Sequence, residues 1–250
     1  TTPAKLQIPG EDEFWGKGVS NCAICDGALY KGKVVAVVGG GEAALLEAQY
    51  LSTLAKTVYI IVRKNTFRSH EASRLAFVKS APNITVLFNR AITAIVGSSG
   101  RLTKIALQDT ATNKEAGELA LDGLFQAIGS QPNSTPVRKL VSCDELGHVR
   151  VQSDFSTTTP GFFAIGDVTQ THYRQAIMVT QQAAQAATSV QEYLAKKELC
   201  PSVTKIPRPS HLLAQHAVIK HPKADESAEN CVIIGSGSTG MTAAIYLGHA

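Results

Sequence analysis

The chain has 250 residues, a formal net charge of +4, 44% apolar residues and 18% charged residues, which is ordinary for a globular protein. No apolar run approaches the ~20 residues of a membrane span, and no basic block with interleaved aromatic residues supports nucleic-acid binding. We expect neither a membrane nor a nucleic acid as partner. Five cysteines at irregular spacing favour a reducing compartment, the cytoplasm, although targeting to an organelle stays open.

The first motif, CAICDG at residues 22–27, places two thiols three positions apart and a carboxylate directly after them. Cysteines at this spacing can close a small disulfide, and a thiolate there can attack a disulfide in another molecule. Cys22 and Cys25 are therefore candidate catalytic residues. Asp26 would supply or remove the proton of each thiol, or it would cap a helix. Half of a zinc site is an alternative, which the absence of a second such pair in the sequence disfavours, and no metal is expected.

A strand, a glycine turn, a helix and a second strand follow over residues 33–62. The strands at 34–38 and 58–62 are apolar and β-branched, and the helix is predicted over 42–54. Gly39, Gly41 and Ala44 match GxGxxA, where small residues permit a tight turn, close approach to a pyrophosphate and helix packing. The sequence therefore predicts a dinucleotide-binding βαβ unit, with a plain tight turn as the alternative.

The end of the second strand in this unit distinguishes NAD from NADP. A carboxylate there would bind the ribose hydroxyl of NAD and repel a 2′-phosphate. Here the segment carries Arg63, Lys64 and Arg68 and no carboxylate. Three cations favour NADPH, and a solvated basic surface is the alternative.

The alternation of helices and strands continues along the chain. We predict a helix at 71–79, a strand at 84–88, a β-meander at 91–96, 102–107 and 118–121, buried strands at 124–128 and 161–165, and a long helix at 174–194. Prolines interrupt residues 196–230, which are predicted to be a linker.

A second strand and glycine turn begin at Cys231, where Gly235, Gly237 and Gly240 form a complete GxGxxG. Two nucleotide motifs and one dithiol predict a relay in which a nicotinamide reduces a flavin and the flavin reduces the disulfide. The fold class is α/β, with two dinucleotide-binding, Rossmann-like domains built on parallel sheets, a β-meander, and an incomplete FAD domain.

In order and spacing, several motifs together resemble the low-molecular-weight thioredoxin reductases. They are IPGE at 8–11, CAICDG at 22–27, the glycine turn at 39–44, the basic segment through Arg68, AIGSQPN at 127–133, GFFAIGD at 161–167 and YRQA at 173–176. The resemblance covers residues 1 to about 194. It implies NADPH, FAD, thioredoxin as the disulfide substrate, and a homodimer.

By this resemblance Cys25 would face the flavin, Cys22 would attack thioredoxin, and Asp26 would be the acid–base residue. The resemblance assigns FAD contacts to five further residues, Gly129, Asp167, Arg174, Gln175 and Ala176. Three positions depart from the family pattern: Val62 replaces a usual histidine, Lys64 a usual arginine and Gln182 a usual glycine.

The order of the segments also departs from the family, because residues 231–250 resemble its N-terminal FAD motif. We expect an NADPH domain at 8–123, a C-terminal part of the FAD domain at 124–195, the linker at 196–230, and the start of an FAD domain at 231–250. A fragment of a tandem pair explains this order, and a permuted chain is the alternative. Two alternative functions are a flavoprotein that reduces a peroxidase partner and a non-catalytic NADPH-binding scaffold.

Overall fold

A computed structural model describes residues 1–171 and 174–197. These residues belong to two compact units, each described by itself. The first unit is Thr2–Gln131, and the second comprises Thr1 and the chain from Pro132 onward. The predicted linker beyond residue 197 and the predicted strand, turn and helix at 231–250 lie outside the described residues.

The first unit contains ten strands and four α-helices. The strands are β1 (Thr2–Pro3), β2 (Val19–Ser20), β3 (Val34–Val38), β4 (Thr57–Val62), β5 (Ile84–Phe88), β6 (Arg90–Ser98), β7 (Arg101–Asp109), β8 (Glu115–Ala120), β9 (Gly123–Gln126) and β10 (Ser130–Gln131). The helices are α1 (Glu11–Phe14), α2 (Ala23–Asp26), α3 (Glu42–Ser52) and α4 (Ala72–Ser80). The second unit contains α5 (Ala176–Lys196).

A parallel sheet with strand order β2-β9-β3-β4-β5 forms the centre of the first unit. Because side chains alternate along a strand, β3 contributes to a core on each face of the sheet. Val35 and Val37 pack in the core that contains Leu45 of α3, and Ala36 and Val38 pack in the other core. The predicted βαβ unit is confirmed, with its helix ending at Ser52.

The predicted β-meander is also confirmed: β6, β7 and β8 form an antiparallel sheet in that order. Its apolar residues, such as Ile95 and Ile105, join the core on the Ala36 face of the parallel sheet. The parallel sheet is therefore covered on one face by α3 and on the other by residues of the meander, as an apolar parallel sheet requires.

The first unit extends beyond the boundary predicted between residues 123 and 124. The predicted strand at 124–128 is β9, and it pairs with β3 through Phe125 and Val37 and with β2 through Leu124 and Val19. Leu124 and Phe125 are fully buried by this pairing. The change of unit therefore comes after Gln131, because β9 belongs to the first sheet.

In the described part of the second unit, Val141, Val149 and Ala164 form a small core with the apolar residues around them, and α5 buries Val179, Ala183, Ala186 and Ala187. The prediction of a buried strand at 161–165 is wrong, because this segment has one isolated bridge, from Phe163 to Ser156, and no strand among the described residues pairs with it further. The long helix α5 is confirmed, two residues later than predicted. No helix of the described residues is both long and apolar enough to cross a membrane.

Candidate redox and nucleotide-binding site

The two cysteines of the first motif form a disulfide at the start of α2, with their Cα atoms 5.3 Å apart. Cys22 is the N-cap of this one-turn helix, and its sulfur accepts a hydrogen bond from the Cys25 backbone N–H at 3.2 Å. Cys25 is exposed and Cys22 half-buried. The sulfurs of this pair therefore differ in accessibility.

Asp26 is tied to the dithiol turn by Ser20, the last residue of β2. The Ser20 hydroxyl donates to Asp26 Oδ2 at 2.7 Å, and its oxygen accepts the Cys22 N–H at 3.1 Å. Asp26 makes no side-chain hydrogen bond as a helix cap, and Cys22 occupies the N-cap of α2. Asp26 is the N-cap residue of the 3₁₀ helix Gly27–Tyr30, so the capping interpretation is confirmed in position but not in side-chain hydrogen bonding. Sequence reasoning missed Ser20, although its position at the end of a strand before the cysteine motif was a usable signal.

A second carboxylate that sequence reasoning missed, Glu47, faces the same turn from α3. Burial raises the pKa of Glu47 to about 7, and the hydrogen bond from the Ala23 N–H opposes this increase. Its Oε2 is buried and has no hydrogen-bond partner among the described residues. The available signal was helical spacing, because residues three and four apart lie on one face of a helix. Position 47 is three residues after Ala44 and four before Leu51, which are both fully buried.

The glycine turn has the packing that its motif predicts. Gly39 has φ of 150°, and a Cβ at this position would lie 2.5 Å from the Ala127 carbonyl oxygen and 3.0 Å from Ala44 Cβ. A Cβ at Gly40 would lie 2.9 Å from a methyl group of Val62. The turn is therefore restricted to small residues by the backbone and side chains behind it.

The predicted cations lie after the carboxyl end of β4, and one of them contacts the glycine turn. The Arg68 backbone N–H donates to the Gly40 carbonyl at 2.7 Å, and a Cβ at Gly41 would lie 3.7 Å from the Arg68 guanidinium. Arg63, Lys64 and Arg68 are exposed, and no carboxylate of residues 1–171 or 174–197 forms a salt bridge with them. The chain thus places unneutralised positive charge beside the turn.

Glu42, the first residue of α3, places a carboxylate near the same turn. Its charge is neutralised by an ion pair with the Arg74 guanidinium, and its other oxygen accepts a hydrogen bond from the Ser69 hydroxyl. Arg74 also pairs with Glu71 at 2.7 Å. A phosphate at the turn would therefore not meet an unpaired carboxylate at position 42.

In the second unit Asp167 lies in a short 3₁₀ turn, Gly166–Val168. Its Oδ1 is buried and has no hydrogen-bond partner within the described part of the chain. Gln182 of α5, which replaces the usual glycine of the family, accepts the Gly166 N–H at 2.8 Å. This departure therefore supports the turn that carries Asp167.

Arg174 is exposed and belongs to a polar network around the buried His148, which sequence reasoning missed. Its guanidinium lies 2.9 Å from His148 Nε2, and His148 Nδ1 lies 3.2 Å from an Asp144 oxygen. Burial raises the pKa of Asp144, but hydrogen bonds from Gln170 and His148 outweigh it and lower this pKa to about 2. Gln175 is the N-cap of α5.

The remaining predicted residues divide between the described and undescribed parts. Ala176 is the exposed first residue of α5. Gly129, in the first unit, has φ of 102° and accepts the Ala4 N–H at 2.9 Å. Gly235, Gly237 and Gly240 lie outside the described residues, as do Cys200 and Cys231. Within the described ranges no three His, Cys, Asp or Glu side chains cluster closely enough to hold a metal ion.

Comparison with known proteins finds the same combination of motifs elsewhere. Residues 1–187 match the family model of the pyridine nucleotide-disulphide oxidoreductases. Over 197 residues the chain is 38% identical to mitochondrial thioredoxin reductase 2 of Saccharomyces cerevisiae, covering 78% of this chain and 57% of that protein. Over 202 residues it is 40% identical to NADPH-dependent thioredoxin reductase 3 of Arabidopsis thaliana, covering 79% and 38%.

Among solved structures, the chain is similar to thioredoxin reductase from Streptococcus pyogenes, with 29% identity and a TM-score of 0.71. It is equally similar in fold to thioredoxin reductase from Giardia duodenalis, with 34% identity and a TM-score of 0.71. Both comparisons cover 78% of this chain and 63% of the other. The chain thus spans less than two thirds of the length of these relatives.

Proposed function

Because the chain belongs to the pyridine nucleotide-disulphide oxidoreductase family, we propose that it acts as an NADPH-dependent thioredoxin-disulfide reductase. The observation that carries this proposal is the Cys22–Cys25 disulfide, with Asp26 held beside it by Ser20. The same compact unit carries the glycine turn and its cations. A dithiol and a nucleotide site in one unit are the parts that such an enzyme needs.

NADPH as the electron donor is supported by the geometry of the turn. Gly39, Gly41 and Ala44 leave room for a pyrophosphate near the start of α3. The unpaired cations Arg63, Lys64 and Arg68 would bind the 2′-phosphate that distinguishes NADPH from NADH. These residues fit the phosphorylated dinucleotide.

FAD as the second cofactor is supported by the buried Asp167 Oδ1 that lacks a donor. A buried carboxylate oxygen needs a hydrogen-bond donor, and a hydroxyl group of the cofactor would supply it. The residues that would hold FAD are Gly129, Asp167, Arg174, Gln175, Ala176, Gly235, Gly237 and Gly240. When bound, FAD supplies an acceptor for hydride on one side and a donor of electrons to sulfur on the other.

The reduced dithiol would act on thioredoxin by thiol–disulfide exchange. The Cys22 thiolate forms a bond to one sulfur of the thioredoxin disulfide, and the other thioredoxin sulfur leaves as a thiolate. Cys25 then attacks the Cys22 sulfur, which restores the Cys22–Cys25 disulfide and releases reduced thioredoxin. Asp26 would hold or deliver the proton at the sulfur that is released. Ile24, 56% exposed, and Leu29, 70% exposed, offer an apolar contact for a protein substrate beside the disulfide.

The test is to trap the mixed disulfide. A Cys25→Ser variant with a free Cys22 is mixed with thioredoxin activated as a mixed disulfide at its attacking cysteine. We expect a covalent complex that dithiothreitol releases, and much less complex with Cys22→Ser, since the family resemblance assigns Cys25 to the flavin although Cys25 is the more exposed of the two. Equal slow reaction of Cys22, Cys25 and the other cysteines would contradict the proposal. A chain that binds NADPH and fails to react would support the non-catalytic alternative.

Three finer features belong to the same proposal. The family resemblance supports a homodimer, and the cysteine pattern supports a reducing compartment such as the cytoplasm. The division into an NADPH domain, an FAD part, a linker and a second FAD motif also stays a prediction. Sedimentation of the FAD-loaded protein tests the homodimer, which would sediment at twice the mass of one chain.

A further inference from the structure

The buried carboxylate of Glu47 has no role in the reaction as described so far. It lies on the face of α3 that buries Ala44, Ala48 and Leu51. The Ala23 N–H donates to it, and its Oε2 has no partner among the described residues. A buried oxygen without a donor destabilises the folded state, because it has lost its hydrogen bonds to water. Packing alone would favour an apolar residue at this position.

The helix that carries Glu47 packs directly against the dithiol turn. Ala23, which lies between the two cysteines in sequence, is 1% exposed and belongs to the same core as Leu51. A Cβ at Gly27 would lie 3.0 Å from Tyr50 Cε1 and 3.2 Å from Leu51 Cδ2. The helix that carries Glu47 and the dithiol turn are therefore in close contact.

We propose that Glu47 is a positioning residue that sets the redox equilibrium of Cys22 and Cys25. Its carboxylate holds the Ala23 N–H, and it brings a negative charge to the turn that carries both sulfurs. The inference rests on the proposed function in one respect: the dithiol is taken as the reacting group.

The charge of Glu47 opposes the formation of a thiolate. An ionised carboxylate close to a thiol raises the pKa of that thiol, and a protonated carboxyl does not. Since the pKa of Glu47 is about 7, the charge is present at pH 8 and largely absent at pH 6. Glu47 should therefore favour the disulfide above neutral pH and have little influence below it.

Other titratable groups lie on the elements packed against α3. They are Cys22, Cys25 and Asp26 at α2, Tyr59 on β4, and Arg74 and Lys79 on α4. Asp26 is hydrogen-bonded to Ser20, and Arg74 pairs with Glu42. With the disulfide closed, burial raises the pKa of Glu47, the Ala23 N–H lowers it, and the charges of Asp26, Arg74 and Lys79 make no contribution.

The experiment measures the dithiol equilibrium in mixtures of reduced and oxidised dithiothreitol, so no flavin is needed. The protein disulfide takes two electrons and two protons from dithiothreitol and becomes two thiols, while dithiothreitol closes to its cyclic disulfide. After alkylation, mass spectrometry of the peptide containing residues 22–25 separates this pair from the other cysteines. Wild type, Glu47→Gln and Glu47→Ala are compared at pH 6 and pH 8, with Glu13→Gln, an exposed carboxylate of the same unit, as control.

Glu47→Gln keeps an oxygen that accepts the Ala23 N–H and removes the charge. At pH 8 we expect its reduction equilibrium constant to exceed that of wild type about tenfold, equivalent to ~30 mV for a two-electron couple. At pH 6 the two proteins should agree within about twofold. Glu13→Gln should match wild type at both pH values.

The proposal is overturned if, at pH 8, the reduction equilibrium constant of Glu47→Gln equals that of wild type and only that of Glu47→Ala differs. Glu47 would then be a structural hydrogen-bond acceptor only. A difference that is equal at pH 6 and pH 8 would overturn the proposal as well. Should a variant not fold, the alkylation rate of wild-type Cys22 must depart from the curve of a single thiol and show a second inflection near pH 7, in addition to that of its own ionisation. A missing Glu47 effect together with mixed-disulfide formation with thioredoxin would leave the proposed function standing.

Discussion

The two units of the chain differ in how completely their described residues pair into sheets and pack into a core. In the first unit a parallel sheet has a core on each face, and its central strand β3 is paired on both sides. In the described part of the second unit, Val141, Val149 and Ala164 form one small cluster and α5 buries four further apolar residues, while the backbone forms isolated bridges in place of a sheet. The dithiol and the glycine turn proposed to bind NADPH both belong to the first unit, so both can be tested without the flavin.

The largest expected effect is at the glycine turn of the first unit. Gly39→Val places a Cβ against the Ala127 carbonyl at 2.5 Å and forces a β-branched residue into positive φ. We expect loss of NADPH binding and a decrease of about 4 kcal/mol in the free energy of unfolding of this unit. Calorimetry with NADPH and hydrogen exchange of β3 measure the two effects.

Gly100→Ala is the matched control for Gly39→Val, because Gly100 also has positive φ and a Cβ there would have no neighbour within 4 Å. Gly100→Ala should lower the free energy of unfolding by about 1 kcal/mol and leave NADPH binding unchanged. If Gly39→Val and Gly100→Ala lost equal amounts of unfolding free energy and of NADPH affinity, backbone strain and not the crowded turn would explain the result.

A matched pair of core valines compares the two units directly. Val37 is 0% exposed and Val149 is 1% exposed. Truncation to alanine removes the same atoms, but a cavity behind β3 is enclosed on all sides, so its neighbours relax less. We expect the free energy of unfolding to fall by about 3 kcal/mol in Val37→Ala and by about 1.5 kcal/mol in Val149→Ala, as measured by hydrogen exchange of each unit. A larger loss for Val149→Ala would reverse the comparison.

The cations of the first unit should affect one nucleotide and not the other. Replacing Arg63, Lys64 or Arg68 by glutamine should weaken NADPH binding about tenfold per residue, or ~1.4 kcal/mol, and leave NADH binding unchanged. Lys56→Gln, at an exposed position of the same unit, is the control. A parallel loss for both nucleotides would assign these residues a general electrostatic role.

The smallest effect concerns acid sensitivity of the second unit. The folded pKa of Asp144, about 2, lies below the ordinary 3.8. Its ionisation therefore stabilises the unit above pH 4, and this contribution is lost as pH falls through about 2. Asp144→Asn should make hydrogen exchange of residues 141–149 less dependent on pH between 4 and 2, whereas the neighbouring Glu145→Gln should retain the wild-type dependence.

The first unit was predictable because its signals are local and periodic. Residues 34–62 carry the apolar strands, small turn residues and helix formers of a βαβ unit, and the observed bounds differ by two residues at most. Residues 161–165 show why the same reasoning fails in the second unit. Their apolar run fits a buried strand, yet a strand also needs a partner, which no local pattern reveals.

The dithiol site was predictable from its spacing, whereas its supporting residues were not. Cys22, Cys25 and Asp26 share one short motif, so their proximity follows from sequence. Glu47 reaches this turn from α3 by tertiary packing alone. Ser20 lies two residues before Cys22, but its hydrogen bond to Asp26 depends on where β2 ends. The same limit hid the contact of His148 with Arg174, 26 residues apart in sequence.

The central claim is that Cys22 and Cys25 exchange electrons with thioredoxin, and it is tested most directly by counting thiols. The chain, with its Cys22–Cys25 pair reduced and the excess reductant removed, is mixed with oxidised thioredoxin, and the peptide containing residues 22–25 is analysed over time. We expect the dithiol to become a disulfide while thioredoxin gains two thiols for each pair oxidised. Thioredoxin that stays oxidised while Cys22 and Cys25 stay reduced, under conditions where dithiothreitol reduces the same thioredoxin, would contradict the account.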